Sequence, residues 1–176
     1  MKSTVSLLVE NKFGVLCRVA GLLSGRGFNI DSLNVTPSID PTMSRMTIVV
    51  DANENVMEQV IKQLNKLVDV IKVIPLDQGD FVQREMALLK LKSDPQQRAQ
   101  ILREAEIFRA KVVDATPNIC ILEATGDESK IDAFIQFFKP YGILEVARTG
   151  PIIMQRGAKS DKKGKASADE ITKVAV

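Results

Sequence analysis

The stretch Glu10-Asn-Lys-Phe-Gly-Val-Leu16 follows a run of alternating apolar residues and precedes a helical one. Such a turn leaves the first N–H groups of the helix unpaired and adds the positive end of the helix dipole, so it can hold an anion. Asn11 contributes an amide that donates and accepts together, and Gly14, lacking a Cβ, lets a ligand or a second backbone approach closely. A zwitterionic amino acid suits this chemistry. Its carboxylate would lie on the free N–H groups and its ammonium on carbonyl or amide oxygens. The same residues also read as an Asn helix cap followed by a turn glycine. A second candidate is Asn29-Ile30 in Gly25-Arg-Gly-Phe-Asn-Ile30, where Gly27 can end a helix in the left-handed conformation. Asn29 offers another amide and Ile30 an apolar wall, or both simply begin a strand. The G-x-G-x-x-G spacing of a dinucleotide site is absent, and the glycines follow a helix instead of opening one.

Absent residues exclude whole reaction classes. With no histidine among 176 residues, the chain can form no Ser-His-Asp triad, Cys-His dyad or imidazole metal site. Cys17 and Cys120 lie far apart and make no CxxC, which suits burial as small apolar residues in a reducing compartment. Of 24 basic and 22 acidic residues, the last twenty positions hold five lysines and three acids, so the body carries 19 of each sign. That balance argues against a domain built to neutralise phosphates. Neither a signal-peptide core nor an apolar run of 18 residues occurs, so the expected setting is the cytoplasm, with no membrane and no nucleic acid as partner.

The elements that must position the two asparagines follow from periodicity. Val5, Leu7 and Val9 alternate as a half-buried strand, and Leu16, Val19, Ala20 and Leu23 make one face of a helix over about 15–25. A strand over about 30–35, a loop from Thr36-Pro37 to Pro41-Thr42, a strand over 45–51, a helix over about 54–66 and a strand over 68–75 complete a βαββαβ order. The second half repeats it. A strand over 84–92 leads to a helix beginning at Asp94-Pro95 with a stripe of Leu102, Ala105 and Phe108. Strands over about 111–115 and 119–124, a helix over about 128–139 and a strand over 143–148 follow. Two such units in tandem predict an α+β protein of two ferredoxin-like domains, at 1–76 and 84–157, joined by a linker at 77–83. The lysine-, serine- and alanine-rich segment 158–176 has no periodicity and reads as a flexible basic tail.

These residues carry a family resemblance. Gly14-Val15-Leu16-x-Arg18-Val19, Arg26-Gly-Phe-Asn-Ile-Asp-Ser-Leu33, Ser44-Arg-Met-Thr47 and Gln63-Leu-x-Lys-Leu-Val-Asp-Val70 resemble an ACT domain, and more narrowly the small regulatory subunit of acetohydroxyacid (acetolactate) synthase. Arg84-Glu85, Ile107-Phe-Arg-Ala110 and Glu145-Val-Ala-Arg-Thr-Gly150 resemble that subunit's C-terminal domain. The likeness runs from about residue 3 to 157. It implies a chain that is not itself an enzyme and has no cofactor of its own. Its implied partner is a large catalytic subunit carrying thiamine diphosphate, Mg²⁺ and FAD. The resemblance further implies activation of that subunit and feedback inhibition by a branched-chain amino acid, valine before leucine or isoleucine. It also implies a homodimer through the ACT domains. The effector site would join Asn11, Gly14, Val15 and Leu16 of one chain to Asn29 and Ile30 of the other. A free-standing amino-acid-sensing ACT regulator is the alternative. An acylphosphatase-like hydrolase would need an arginine in the first turn, and an RNA-binding module would need aromatics on its central strands; both are missing.

Overall fold

A computed structural model describes residues 2–76 and 81–156. The chain divides into two compact units, one reaching Val82 and taking in the residues from Ile153, the other spanning Gln83–Ile152.

In the first unit the alternating N-terminal run forms β1 (Lys2–Glu10), and Val5, Leu7 and Val9 turn inward, at most 1% exposed. Helix α1 (Val15–Ser24) lays Val15, Val19 and Leu23 on that face. Next come β2 (Ile30–Pro37), β3 (Met43–Asp51), α2 (Glu54–Leu64) and β4 (Val70–Pro75). Asn53 caps α2 by accepting from the Val56 N–H at 3.0 Å, and Met57, Val60 and Leu64 close the core over Met46, Ile48 and Val50. The sheet order is β2-β3-β1-β4, antiparallel throughout, with β2 and β4 at the edges.

Three boundaries differ from expectation. Strand β2 runs through Thr36 to Pro37, which pairs with Ser44. The proline is tolerated because β2 is an edge strand, where a missing N–H breaks no ladder bond. The loop is therefore confined to 38–42, where Asp40 accepts from the Thr42 hydroxyl (2.6 Å) and N–H (2.9 Å). Those bonds hold its carboxyl below the usual range. Helix α2 stops at Leu64, and Val68 lies fully exposed in the following turn, so β4 begins only at Val70.

The second unit repeats the order with β5 (Phe81–Lys92), α3 (Pro95–Ile107), β6 (Lys111–Ala115), β7 (Ile119–Gly126), α4 (Glu128–Phe138) and β8 (Ile143–Arg148), in sheet order β6-β7-β5-β8. Asp94 and Asp127 cap the two helices through backbone N–H groups at 2.8–2.9 Å. Helix α3 buries Ile101 and Ala105, whereas Leu102, expected on the stripe, is 38% exposed. One residue of offset turns a helical side chain by about 100°, and Ile101, Ala105 and Phe108 make the better i, i+4, i+7 series. The expected linker at 77–83 meets β5, which already begins at Phe81; residues 77–80 lie outside the described residues, as does the segment 158–176. A further strand, β9 (Ile152–Gln155), was not anticipated from its four residues and pairs with β5. At twelve residues β5 outruns β8, whose pairing spans only Ala87–Leu91.

The second core is aromatic where the first is aliphatic. Phe134 and Phe138 are fully buried, 5.3 Å apart edge to face, with Phe108 and Tyr141 stacked around them. Under the sheet rim, the buried Glu85 receives a bidentate Arg148 (2.6 and 3.0 Å), which also reaches Asp132 at 2.7 Å. Phe138→Ala should cost about 3–5 kcal/mol in urea-induced unfolding, because the cavity cannot close against a neighbouring helix.

Tyr141, the single tyrosine, donates its hydroxyl to Glu104, and that bond pushes its pKa up to about 12. The folded state thus holds the proton more tightly than the unfolded one. The bond's contribution to stability is complete below about pH 10 and fades as pH climbs through 12. Phenolate absorbance should titrate near 12 in the native chain and lower in Glu104→Gln.

Candidate effector site

The turn between β1 and α1 is held from three sides. The Glu10 N–H donates to the Asp69 carbonyl (2.9 Å), the Asn11 N–H to the Thr42 carbonyl (2.7 Å), and the Asn11 Nδ2 to the Pro41 carbonyl (2.8 Å). Lys12 pairs with Glu10 at 2.8 Å, and the Arg18 Nε with Asp69 at 2.8 Å. Asn11 therefore does not cap the helix. Its amide nitrogen is spent on pinning the turn to the loop before β3, while the residue itself is exposed.

Gly14 occupies the cap position in the left-handed conformation (φ 83°), and no side chain caps α1. The Val15 N–H reaches the Lys12 carbonyl only at a long 3.4 Å. The start of α1 thus offers N–H groups and its dipole to an anion, with no acidic residue in its first turn. Val15 is buried in the core, so only its backbone can meet a ligand. Leu16 is 42% exposed and Phe13 entirely so. A Cβ added at Gly14 would meet only the Arg18 side chain, at 3.9 Å, so the position is open in space and restricted in backbone angle alone.

Asn29 is exposed just before β2, and its Nδ2 donates to the Asp31 carboxylate at 3.1 Å. Ile30 is half-buried against the first core. The two candidate segments do not meet within one chain. Glu10 lies opposite Met43 and Ile30 opposite Val50, seven residues farther along β3, so the turn and Asn29 sit about 23 Å apart at opposite ends of the sheet. Arg18 and Asp69, which fix the helix start, were missed by sequence reasoning. An arginine one turn into an apolar helix face was the available signal. Among the described residues, no group of three or more His, Cys, Asp or Glu side chains is gathered to hold a metal ion. No helix there is long and apolar enough to cross a membrane.

The βαββαβ unit that carries this open helix start is an ACT domain, for residues 5–72 match the family described as the AHAS small subunit-like ACT domain. Residues 84–157 match the family described as the small subunit of acetolactate synthase. The chain belongs to the acetolactate synthase small-subunit family, the regulatory subunits whose counterpart is a large catalytic one. It is 50% identical over 159 residues to a probable acetolactate synthase small subunit of Archaeoglobus fulgidus, covering 90% of this chain and 99% of that protein. To the acetolactate synthase isozyme 3 small subunit of Escherichia coli it is 45% identical, over 90% of this chain and 98% of that one. The crystal structure of the acetolactate synthase small subunit from Thermotoga maritima superposes with a TM-score of 0.82 at 41% identity, covering 90% of this chain and 99% of that chain.

The open surroundings of Gly14 make its substitution a question of backbone strain alone. Gly14→Ala should lower stability by about 1–2 kcal/mol, the cost of a Cβ in the left-handed region, whereas Gly14→Asp should cost less. Thermal unfolding of the two variants beside the parent would check the order.

Proposed function

We propose that this chain acts in the cytoplasm as the regulatory partner of a large acetolactate synthase subunit, raising its activity and making it inhibitable by a branched-chain amino acid, valine first among the three. Thiamine diphosphate, Mg²⁺ and FAD belong in this reading to the catalytic subunit. The names of the relatives support the pairing of subunits. The observation that carries the effector site is the uncapped start of α1 together with the opposed positions of the two asparagine segments.

A single chain cannot close a site from halves at opposite ends of its sheet. A two-fold axis can. If β2 pairs antiparallel with the β2 edge of a second copy, the partner's Asn29-Ile30 end comes to the end of the sheet that carries Asn11 to Leu16. The effector carboxylate would then rest on N–H groups near Gly14 and Val15. Its ammonium would use the Oδ1 of Asn11 and the Asn29 amide from the other chain. Its isopropyl group would lie between Leu16 and Ile30. Such an arrangement requires a homodimer, to be seen as a dimeric mass in sedimentation at micromolar concentration.

The discriminating experiment is the reconstituted holoenzyme titrated with valine, leucine and isoleucine. Gly14→Asp places a carboxylate where the effector's own would sit, and should abolish inhibition while leaving activation intact. Asn29→His should weaken inhibition by about 5- to 150-fold, equivalent to roughly 1–3 kcal/mol for one lost buried partner. Full valine sensitivity in an incorporated Gly14→Asp variant would overturn the site.

A further inference from the structure

The second unit repeats the topology of the first, so each loop of one has a counterpart in the other. After α1 the Phe28 N–H returns to the Leu23 carbonyl (3.1 Å) and the Gly27 N–H to the Ser24 carbonyl (3.0 Å), with Gly27 left-handed at φ 78°. After α3 the Ala110 N–H returns to the Ala105 carbonyl (2.9 Å) and the Arg109 N–H to the Glu106 carbonyl (2.9 Å), with Arg109 left-handed at φ 53°. The two helix ends are therefore built alike. Arg109 stands where the first unit has Gly27, and Lys111 where it has Asn29. The second unit thus carries two cations at the counterpart of one half of the candidate effector site.

Those two residues open onto a recess of about 410 Å³ that is also lined by Arg84, Glu123, Asp127 and Lys130. Four cations face two carboxylates there, a net of two positive charges. One carboxylate is already committed. Asp127 accepts from the Lys130 N–H and the Ser129 hydroxyl (both 2.8 Å), bonds that hold its carboxyl below the usual range. Glu123 stands opposite Lys111 across the β6–β7 ladder. Lys130 is held over the rim by a 2.7 Å bond from its Nζ to the Thr125 carbonyl, and Arg84 by one from its Nη1 to the Gln83 carbonyl, also 2.7 Å. Among the described residues neither Arg109 nor Lys111 comes within ion-pair distance of a carboxylate. Arg109 keeps a left-handed backbone that glycine would adopt without strain, so its side chain is present at a conformational cost that no ion pair in the described residues offsets.

We propose that this recess is a binding site for a small polyanion, a molecule with two or more negative charges on clustered oxygens, separate from any amino-acid site in the first unit. A planar guanidinium, two ammonium groups and a second arginine converge from four elements, β5, the α3–β6 turn, β6 and α4. This is the donor set that phosphate and polycarboxylate groups select. The volume is in the range of small-molecule sites and leaves room for more than a bare phosphate. The site is complete within one unit, so it requires neither a second copy nor the amino-acid effector.

The test uses the full chain and calorimetric titration with inorganic pyrophosphate in one arm and citrate in the other, at matched ionic strength. The comparison protein is Arg109→Gly with Lys111→Gln. The glycine fits the left-handed angle and Lys111 is exposed, so this variant should melt no lower than the parent; Arg84→Gln provides a second, independent removal. Saturable binding of either anion, weakened roughly tenfold or more in the double variant and relieved by added salt, is the expected result. The better ligand identifies the class as phosphate or polycarboxylate. No saturable binding of either anion would overturn the proposal, as would equal affinity in parent and variants. So would a double variant that keeps its anion affinity but loses association with the catalytic subunit, for the cations would then serve an acidic segment of that partner.

Discussion

The pairing of β1 with β3 is the constraint on which the first unit depends. Its unbroken register from Lys2 opposite Asp51 to Glu10 opposite Met43 sets every inward side chain of both strands at once. Because strand side chains alternate, Val5, Leu7 and Val9 face the helices only if Met46, Ile48 and Val50 do so in step. A slip by one residue would exchange those apolar side chains for Ser6 and Thr47. The same register decides which loops share an end of the sheet. It brings the α1 start beside the 38–42 loop, where the Asn11 amide is bonded, and sends Asn29 to the far end. The candidate site is therefore divided by the same pairing that builds the core.

The two units meet one topology with different chemistry. The first has an aliphatic interior and an uncapped first helix; the second has a cluster of aromatic rings and helices capped by Asp94 and Asp127. Capping typically stabilises a helix by about 1 kcal/mol, so its absence at Gly14 leaves stability unclaimed at the place where an anion could supply it. Buried charge differs as well. Glu85 is almost wholly enclosed, and Arg148 meets both its oxygens while sharing a third bond with Asp132. A bidentate guanidinium largely satisfies that carboxylate, which would be costly to leave alone. The geometry also explains why Arg84-Glu85 and Glu145 to Gly150 are linked in the sequence pattern: Arg148 and Thr149 are the side chains that close on Glu85 and Met86.

Regulation in such a chain is a problem of helix ends more than of reactive side chains. Without histidine in the chain, and with no gathered donor set among the described residues, the chemistry at hand there consists of N–H groups, amides and fixed charges. The first unit presents these at Gly14 with Lys12 and Arg18 already paired, which suits a ligand that brings one carboxylate and its own ammonium. The second unit presents Arg109 and Lys111, which pair with no carboxylate among the described residues, at the topological counterpart of the loop around Asn29, which suits a ligand of uncompensated negative charge. The difference between the two loops is one of electrostatics on a common backbone.

Periodicity alone determined eight strands, four helices, their order and most of the core, because alternation and the 3.6-residue repeat survive in any context. Val5, Leu7 and Val9, or Ile131, Phe134 and Phe138, could hardly face elsewhere. The sequence also marked Gly14 and Gly27, which take the left-handed backbone that glycine adopts without strain. It did not show what the two turns do in three dimensions. That Asn11 pins a loop instead of capping a helix follows from the carbonyl of Pro41, thirty residues away. That Pro37 is part of a strand follows from β2 being an edge, and the four residues of β9 are a strand through their pairing with β5. Arg109 stood in the sequence only as part of the Ile107-Phe-Arg-Ala110 motif, and the helix end places it where the first unit has Gly27. Local pattern records what each segment can form. Which segments become neighbours, and which charges are left unpaired, is decided by contacts between residues far apart in the chain.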